Sequence, residues 1–384
     1  MELSSVQIRI FNNEIIELQR KLHIPGLAGA VISKGNIVWR NYLGYSDIFN
    51  KIKVNPSSIF SIASITKTIT STILLSIFTE KGLDIDIPLS VFKINIKNSE
   101  QITIRHLLSH TSRGIIGEEF CYSERRFFIL QEVLEKVMNQ SIEQIIMERF
   151  INYLNLKNTV PYSYYENPEY KEVFKNLAKA YRFSKELDNQ DCRYSNFFSV
   201  TDGLISSLED MITYSKALDS NVIISNEIKN LAWSGKSNSG NPLPYGLGWF
   251  IQWFQGNKLV WHYGVSNGFS SVILKLPKME LSFLLLTNNE ELTNAFHFEK
   301  CDITRSPFIT VFLKSFLNEK STLSITEVDW NKNQDSLEDY LKQQILQLSD
   351  SNDIELFMKY IESYKNLYEY LGNYTVLEKL NHII

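Results

Sequence analysis

In FSIASITKTIT, residues 60–70, Ser64 and Lys67 stand three positions apart. Three positions is close to one helical turn, so a hydroxyl and an amine would share a face. A Ser–Lys pair is one way to activate a serine nucleophile without a Ser-His-Asp triad. An ordinary lysine titrates near ~10.4. It must be desolvated, or set beside other cations or phenols, to act as a base near neutrality. The following residues are apolar at helical spacing (Ile69, Ile73, Leu74, Ile77, Phe78) and stop at Gly82. The spacing predicts Ser64 in the first turn of a buried helix, where free backbone N–H groups also steady an anion.

Spacing alone does not single out that pair. Ser90 and Lys93 repeat it in DIPLSVFKI, but with no helical pattern behind them. Taken alone, Ser64 also reads as a helix N-cap and Lys67 as a solvated surface residue. The surroundings have to decide.

The elements around the pair follow from periodicity. An amphipathic helix is expected at the start (Val6, Ile10, Phe11, Ile15, Leu18, Leu22), and a hairpin across Lys34-Gly35-Asn36. From Asp84 to about Asn257 the pattern is mostly helical or irregular, with Pro161 to Asn196 reading as a long surface excursion. KLVWHYG, GFSSVILKLP and LSFLLLTN then form an antiparallel meander, and RSPFITVFLKSFL a covering helix. Strands at both ends predict one sheet built from N- and C-terminal pieces. The expected domains are residues 1–318, with a helical subdomain at about 84–257, and a helical appendage at 319–384.

With 44% hydrophobic and 21% charged residues, the 384-residue chain has the composition of a soluble globular protein. A net charge of −4 without a basic block points to neither nucleic acid nor a membrane surface. No apolar run approaches the ~20 residues of a membrane span. No signal peptide is read at the N-terminus, so a cytoplasmic location is expected. Cys121, Cys192 and Cys301 show no metal spacing and no disulfide framework. No metal and no cofactor are predicted, and His106 and His110 are assigned to structure.

Several stretches share one resemblance, in a consistent order: FSIASITKTIT, EKGLDIDIPLSVF, ITIRHLLSHTSRG, CYSERRFF, DGLISSLEDM, YGLGWF and WHYGVSNGFSSVILKLP. From about Pro25 to Asn288 the chain resembles the serine β-lactamase-related family. That family includes class C β-lactamases, low-molecular-mass penicillin-binding proteins, D-amino-acid peptidases and family VIII-type esterases. The resemblance implies a β-lactamase/transpeptidase-like α/β (α+β) fold, an antiparallel sheet flanked by helices with an inserted helical subdomain. It implies Ser64 as acylated nucleophile, Lys67 as its motif partner, and Tyr122 as general base or as acid toward the leaving group. The third motif falls on His262, Tyr263 and Gly264, where Gly264 lets substrate approach the strand. The backbone N–H groups of Ser64 and Val265 would hold the oxyanion.

Two departures stand out. Glu124 occupies the place of the family's Asn, which contacts the acyl side chain, and the segment before Tyr122 is short. Tyr194-Ser195-Asn196 matches Tyr-x-Asn literally, but it precedes the LISSLEDM helix instead of following HTSRG. Tyr122 is therefore preferred. Arg125 and Arg126, at a helix start, are expected to point outward. The chain reads as a serine hydrolase forming a Ser64 acyl-enzyme on a small ester or amide, with weak or no β-lactamase activity. The rivals are an acyltransferase using the same intermediate, and a binding protein on a retired hydrolase scaffold.

Overall fold

The structure, a computed structural model, describes residues 4–182, 185–186 and 198–317. Near the N-terminus, β1 (Gly26–Ser33) and β2 (Asn36–Asp47) form the expected hairpin, followed by β3 (Ile52–Lys53). Three short strands, β4 (Ile59–Ser61), β5 (Val160–Pro161) and a later β8 (Leu204–Ser207), make a small sheet. A two-residue-by-two-residue ribbon, β6 (Tyr181–Arg182) and β7 (Lys185–Glu186), lies between them in sequence. The C-terminal strands are β9 (Phe250–Phe254), β10 (Asn257–Ser266), β11 (Phe269–Leu276) and β12 (Leu281–Thr287). They complete a seven-stranded antiparallel sheet ordered β3-β2-β1-β12-β11-β10-β9. N- and C-terminal pieces meet at β1 and β12, with Ala30 opposite Leu284.

Alternation along the strands divides the core. Leu27 and Val31 of β1, Phe283 and Leu285 of β12, and Trp261 of β10 face one side. There they meet helix α1 (Ser5–Lys21), whose Phe11, Ile15 and Leu18 are buried. Ala28, Ala30, Ile273, Leu284 and Leu286 face the other side, toward helix α2 (Thr66–Glu80). The period of two is what lets one strand serve both layers. Val6 and Ile10, expected on the apolar face of α1, are exposed instead. They lie on the helix's first turns, off the stripe that covers the sheet.

The remaining α-helices among the described residues are α3 (Ile104–Leu108), α4 (Glu124–Phe127), α5 (Ile129–Met138), α6 (Ile142–Ile146) and α7 (Lys171–Lys175), then α8 (Leu208–Asp219) and α9 (Asn226–Ala232). Last comes α10 (Pro307–Leu317), which packs Phe312 flat on Phe283 at 4.6 Å and so covers the sheet beside α1. The stretch from Pro161 is not wholly a surface excursion. Tyr181 is buried and accepts the Ile48 N–H, and Ala178 and Ala180 are buried with it. Its residues 187–197, with Tyr194 and Cys192, lie outside the described residues, as does the appendage expected at 319–384. Among the described residues no helix is long and apolar enough to cross a membrane.

α2 is buried on every side from Thr66 to Leu75, although its first half is rich in hydroxyls. Four of those hydroxyls have partners inside the protein, while Thr66 Oγ1 is buried without one among the described residues. Thr68 donates to Ile65 O, Thr70 to Val200 O, Ser71 to Leu247 O and Thr72 to Thr68 O, at 2.7–2.9 Å. A central helix of this kind holds its first turn rigidly, which matters for what is mounted there.

Candidate active site

Ser64 lies in a single 3-10 turn, Ala63–Ile65, that runs directly into α2. The chain enters it from β4 through Ala63, whose φ of +44° is a left-handed conformation for a residue with a side chain. Such a backbone costs about 1–3 kcal/mol and persists only where the surroundings fix it. Ile62 N–H on Leu204 O, at 3.1 Å, provides one of those fixings.

Lys67 reaches back one turn, and its Nζ is 2.7 Å from Ser64 Oγ. Its side chain is fully buried, 0% exposed. Nζ also donates to the carbonyl of Thr201 at 3.1 Å and lies 3.5 Å from Glu124 Oε1. Ser90 and Lys93 show no such arrangement. They sit in a short 3-10 turn that ends in a left-handed Lys93, with Lys93 exposed.

Glu124 opens α4, where Ser123 caps the helix by accepting from Arg126 N–H. Its side chain is 64% exposed, and Oε1 lies 3.5 Å from Ser64 Oγ as well as from Lys67 Nζ. Arg125 is exposed, as expected, while Arg126 is only half-exposed. The ring of Tyr122 lies beside the lysine, its centroid 5.3 Å from Nζ. His110 holds this corner. Its ring packs on Tyr122 at 4.3 Å, and its Nδ1 accepts the Ser123 N–H at 3.2 Å. Burial and the Lys67 charge push the His110 pKa well down, so the ring stays neutral. His106 is structural too, forming a capping box with Thr103 at the start of α3.

The third wall is β10. Gly264 packs so closely that a Cβ there would come 2.2 Å from Ile62 O and 2.6 Å from Ser271 Oγ. Only glycine lets the strand lie against the turn that carries Ser64. The next residue, Val265, pairs with Ser270 in β11. Ser266 and Phe269 flank the two-residue turn Asn267–Gly268, and a β-turn joins its outer residues by a hydrogen bond. Donors alternate along an antiparallel strand, so the Val265 N–H points away from β11. On that side, pairing with β9 has ended at Trp261 and Phe250.

His262 is placed differently from what its motif position implies. The ring is fully buried, and both nitrogens are engaged. Nδ1 lies 2.7 Å from the Tyr263 carbonyl, so Nδ1 carries the proton and Nε2 accepts from Tyr245 O–H at 2.9 Å. Burial, then the Lys67 charge, pushes its pKa down to about 3. His262 therefore braces Tyr245 from within and offers substrate no free nitrogen and no positive charge.

The comparisons agree on one family. The Beta-lactamase family model matches residues 11–299. The chain belongs to the Beta-lactamase family. Protein flp of Staphylococcus aureus (strain MW2) is 27% identical over 310 residues, 70% of this chain and 60% of that protein. The chain thus spans about three-fifths of that relative's length. A penicillin-binding protein of Bacillus subtilis (strain 168) is 24% identical over 306 residues, 67% of this chain and 66% of its own. Among solved structures, the octameric penicillin-binding protein homologue from Pyrococcus abyssi superposes with a TM-score of 0.62 at 22% identity, covering 74% of each chain. Membership places this chain in a superfamily of serine hydrolases and acyltransferases.

Two residues of this candidate site escape sequence reasoning. Thr201 contributes a main-chain carbonyl, which any residue would supply. Tyr245, buried behind His262, lies in YGLGWF, a stretch that marks the family without showing which of its side chains matters.

Proposed function

We propose that the protein is a serine hydrolase that forms an acyl-enzyme on Ser64 from a small ester or amide. The observation that carries this is Lys67 Nζ, fully buried, 2.7 Å from Ser64 Oγ at the start of a rigid helix. Ser64 Oγ gives its proton to a base at the site and attacks the carbonyl carbon. The C–O π pair moves to the oxygen, and the backbone N–H groups of Ser64 and Val265 receive that charge. Collapse expels the leaving atom, which takes the proton. Tyr122 hydrogen-bonds the leaving atom as it departs. Water then attacks the acyl-enzyme and regenerates Ser64.

Charge favours neutral or amine-bearing substrates over penicillins and cephalosporins, which carry a carboxylate. Glu124 is an acceptor-only anion beside the nucleophile, where an Asn would also donate. His262, neutral in its buried pocket, supplies no counter-charge, and Lys67 already faces Glu124. An anion brought into this partly desolvated cleft is repelled.

The test is labelling with a fluorophosphonate and with a fluorescent penicillin, followed by peptide mapping. Fluorophosphonate on Ser64 is expected; no label there sinks the serine assignment. In wild-type enzyme, kcat/KM for p-nitrophenyl acetate should exceed that for a chromogenic cephalosporin. The reverse order removes the charge-based selectivity.

A further inference from the structure

We infer that Glu124 is a catalytic base, taking the Ser64 proton during acylation and a water proton during deacylation. This rests on Ser64 being the nucleophile and goes beyond Glu124 as a substrate contact.

Hydrogen-bond accounting points to it. Lys67 Nζ faces three acceptors: Thr201 O at 3.1 Å, Ser64 Oγ at 2.7 Å and Glu124 Oε1 at 3.5 Å. Ser64 Oγ has one proton to place, and in the observed geometry Lys67 Nζ donates to that oxygen at 2.7 Å, which leaves the hydroxyl to donate elsewhere. The acceptor in reach of the Ser64 hydroxyl is Glu124 Oε1, at 3.5 Å. Hydrogen bonds of this kind are commonly long without substrate and tighten in the complex.

The alternatives around Ser64 are committed elsewhere. His262 uses Nδ1 on the Tyr263 carbonyl and Nε2 on Tyr245. The Nδ1 of His110 holds Ser123 N–H. Tyr122 is held by its ring, between His110 and Phe250, and among the described contacts its hydroxyl bonds neither Ser64 nor Lys67. Asp202 shares the Lys67 field, but its described side-chain hydrogen bond is Oδ1 accepting from Gly203 N–H, and it makes none to Ser64. Glu124 is also 64% exposed, so the carboxylate that meets Ser64 is open to water.

The steps balance. As Ser64 Oγ bonds the carbonyl carbon, its proton passes to Glu124 Oε1. Collapse of the tetrahedral intermediate breaks the bond to the leaving atom, which takes that proton from Glu124. In the second half, water bonds the acyl carbon while its proton moves to Glu124. The C–Oγ bond then breaks and Glu124 returns the proton to Ser64. Lys67 Nζ keeps its contacts with Ser64 Oγ and Glu124 Oε1, stabilising both oxygens as charge develops.

The experiment uses p-nitrophenyl acetate, which is neutral, so a role in charge selection alone leaves its turnover unchanged. Glu124→Gln and Glu124→Ala should each lower kcat by about 10²–10⁴-fold, the range of a lost general base. Added formate should restore Glu124→Ala in a concentration-dependent way and leave Glu124→Gln unaffected. Glu124→Gln, which keeps an acceptor beside the buried Lys67, should hold the wild-type denaturant midpoint more closely than Glu124→Ala, and kcat is compared where both are folded. Asp202→Asn, which changes the same field without touching Ser64, should lose far less. Turnover by Glu124→Gln within about threefold of wild type, well below the loss expected of a missing base, overturns the assignment. So do an equal loss in Asp202→Asn and the absence of formate rescue. Absence of label on wild-type Ser64 overturns the nucleophile itself, whereas a labelled Ser64 with an active Glu124→Gln overturns only the base.

Discussion

At the scale of single residues, the proposed function rests on one hydroxyl and one buried amine. Ser64→Ala should remove activity by several orders of magnitude and abolish fluorophosphonate labelling, as nucleophile deletions do. Ser90→Ala should behave as wild type, since its lysine partner is exposed and no helix joins them; a dead Ser90→Ala would point to the wrong pair. Lys67→Met separates catalysis from packing, because methionine fills most of the same space. Glu124, left without its partner, is exposed and rehydrates at little cost. The Thr201 carbonyl loses its buried donor, which costs about 1–3 kcal/mol. Activity should fall far more than that stability loss explains, measured as kcat at a temperature where the variant is folded. Activity near wild type in a folded Lys67→Met would remove the lysine from the mechanism.

At the scale of elements, the site is a junction of three pieces, the turn entering α2, the start of α4 and the free end of β10. How tightly they meet shows at Gly264, whose absent side chain leaves room for Ile62 O. Gly264→Ala must push β10 from the Ser64 turn, since the clash is with backbone and not with a flexible side chain. Overpacking of this kind costs about 1–3 kcal/mol. It also shifts Val265 N–H relative to Ser64, so kcat/KM should drop at least 10-fold, an estimate in line with losing an oxyanion donor. A variant with wild-type midpoint and wild-type kcat/KM would show that the strand does not set this geometry.

The same elements show what sequence could and could not convey. The β10–β12 meander, the β1–β2 hairpin and α10 were legible because each is long enough to display its period. β4, β5 and β8 are two to four residues long and show none. β9 is an edge strand with an exposed Trp253, and its FIQWF does not alternate cleanly. Ser64, Lys67 and Tyr122 could be read from motif order, and the structure brings them to one corner. His262 could be placed but not interpreted, because burial and the Tyr245 partner arise only from tertiary packing.

At the scale of the whole molecule, that packing gives the fold a pH dependence. His262 is held neutral by burial and by the Lys67 charge, its pKa pushed down to about 3. Burial moves His110 and His106 in the same direction. In the unfolded chain a histidine titrates near ~6.5. Below that, the unfolded chain binds protons that the folded one refuses, so acid favours unfolding. The contribution is complete above the unfolded value and is lost as pH falls, for His262 across the window from ~6.5 to about 3. For His262 the slope is about 1.4 kcal/mol per pH unit, or about 2 kcal/mol by pH 5. Denaturant midpoints between pH 7 and 5, above the ordinary carboxylate range, isolate the histidines. His262→Gln is less stable than wild type at pH 7, because it disturbs Tyr245, yet its stability should fall less steeply as pH drops. The slope should flatten by about 1.4 kcal/mol per unit below ~6.5, one histidine's share. Identical slopes for the two proteins would mean that the buried ring takes up its proton in the folded state, and the brace between Tyr245 and the strand would then have to carry a charge.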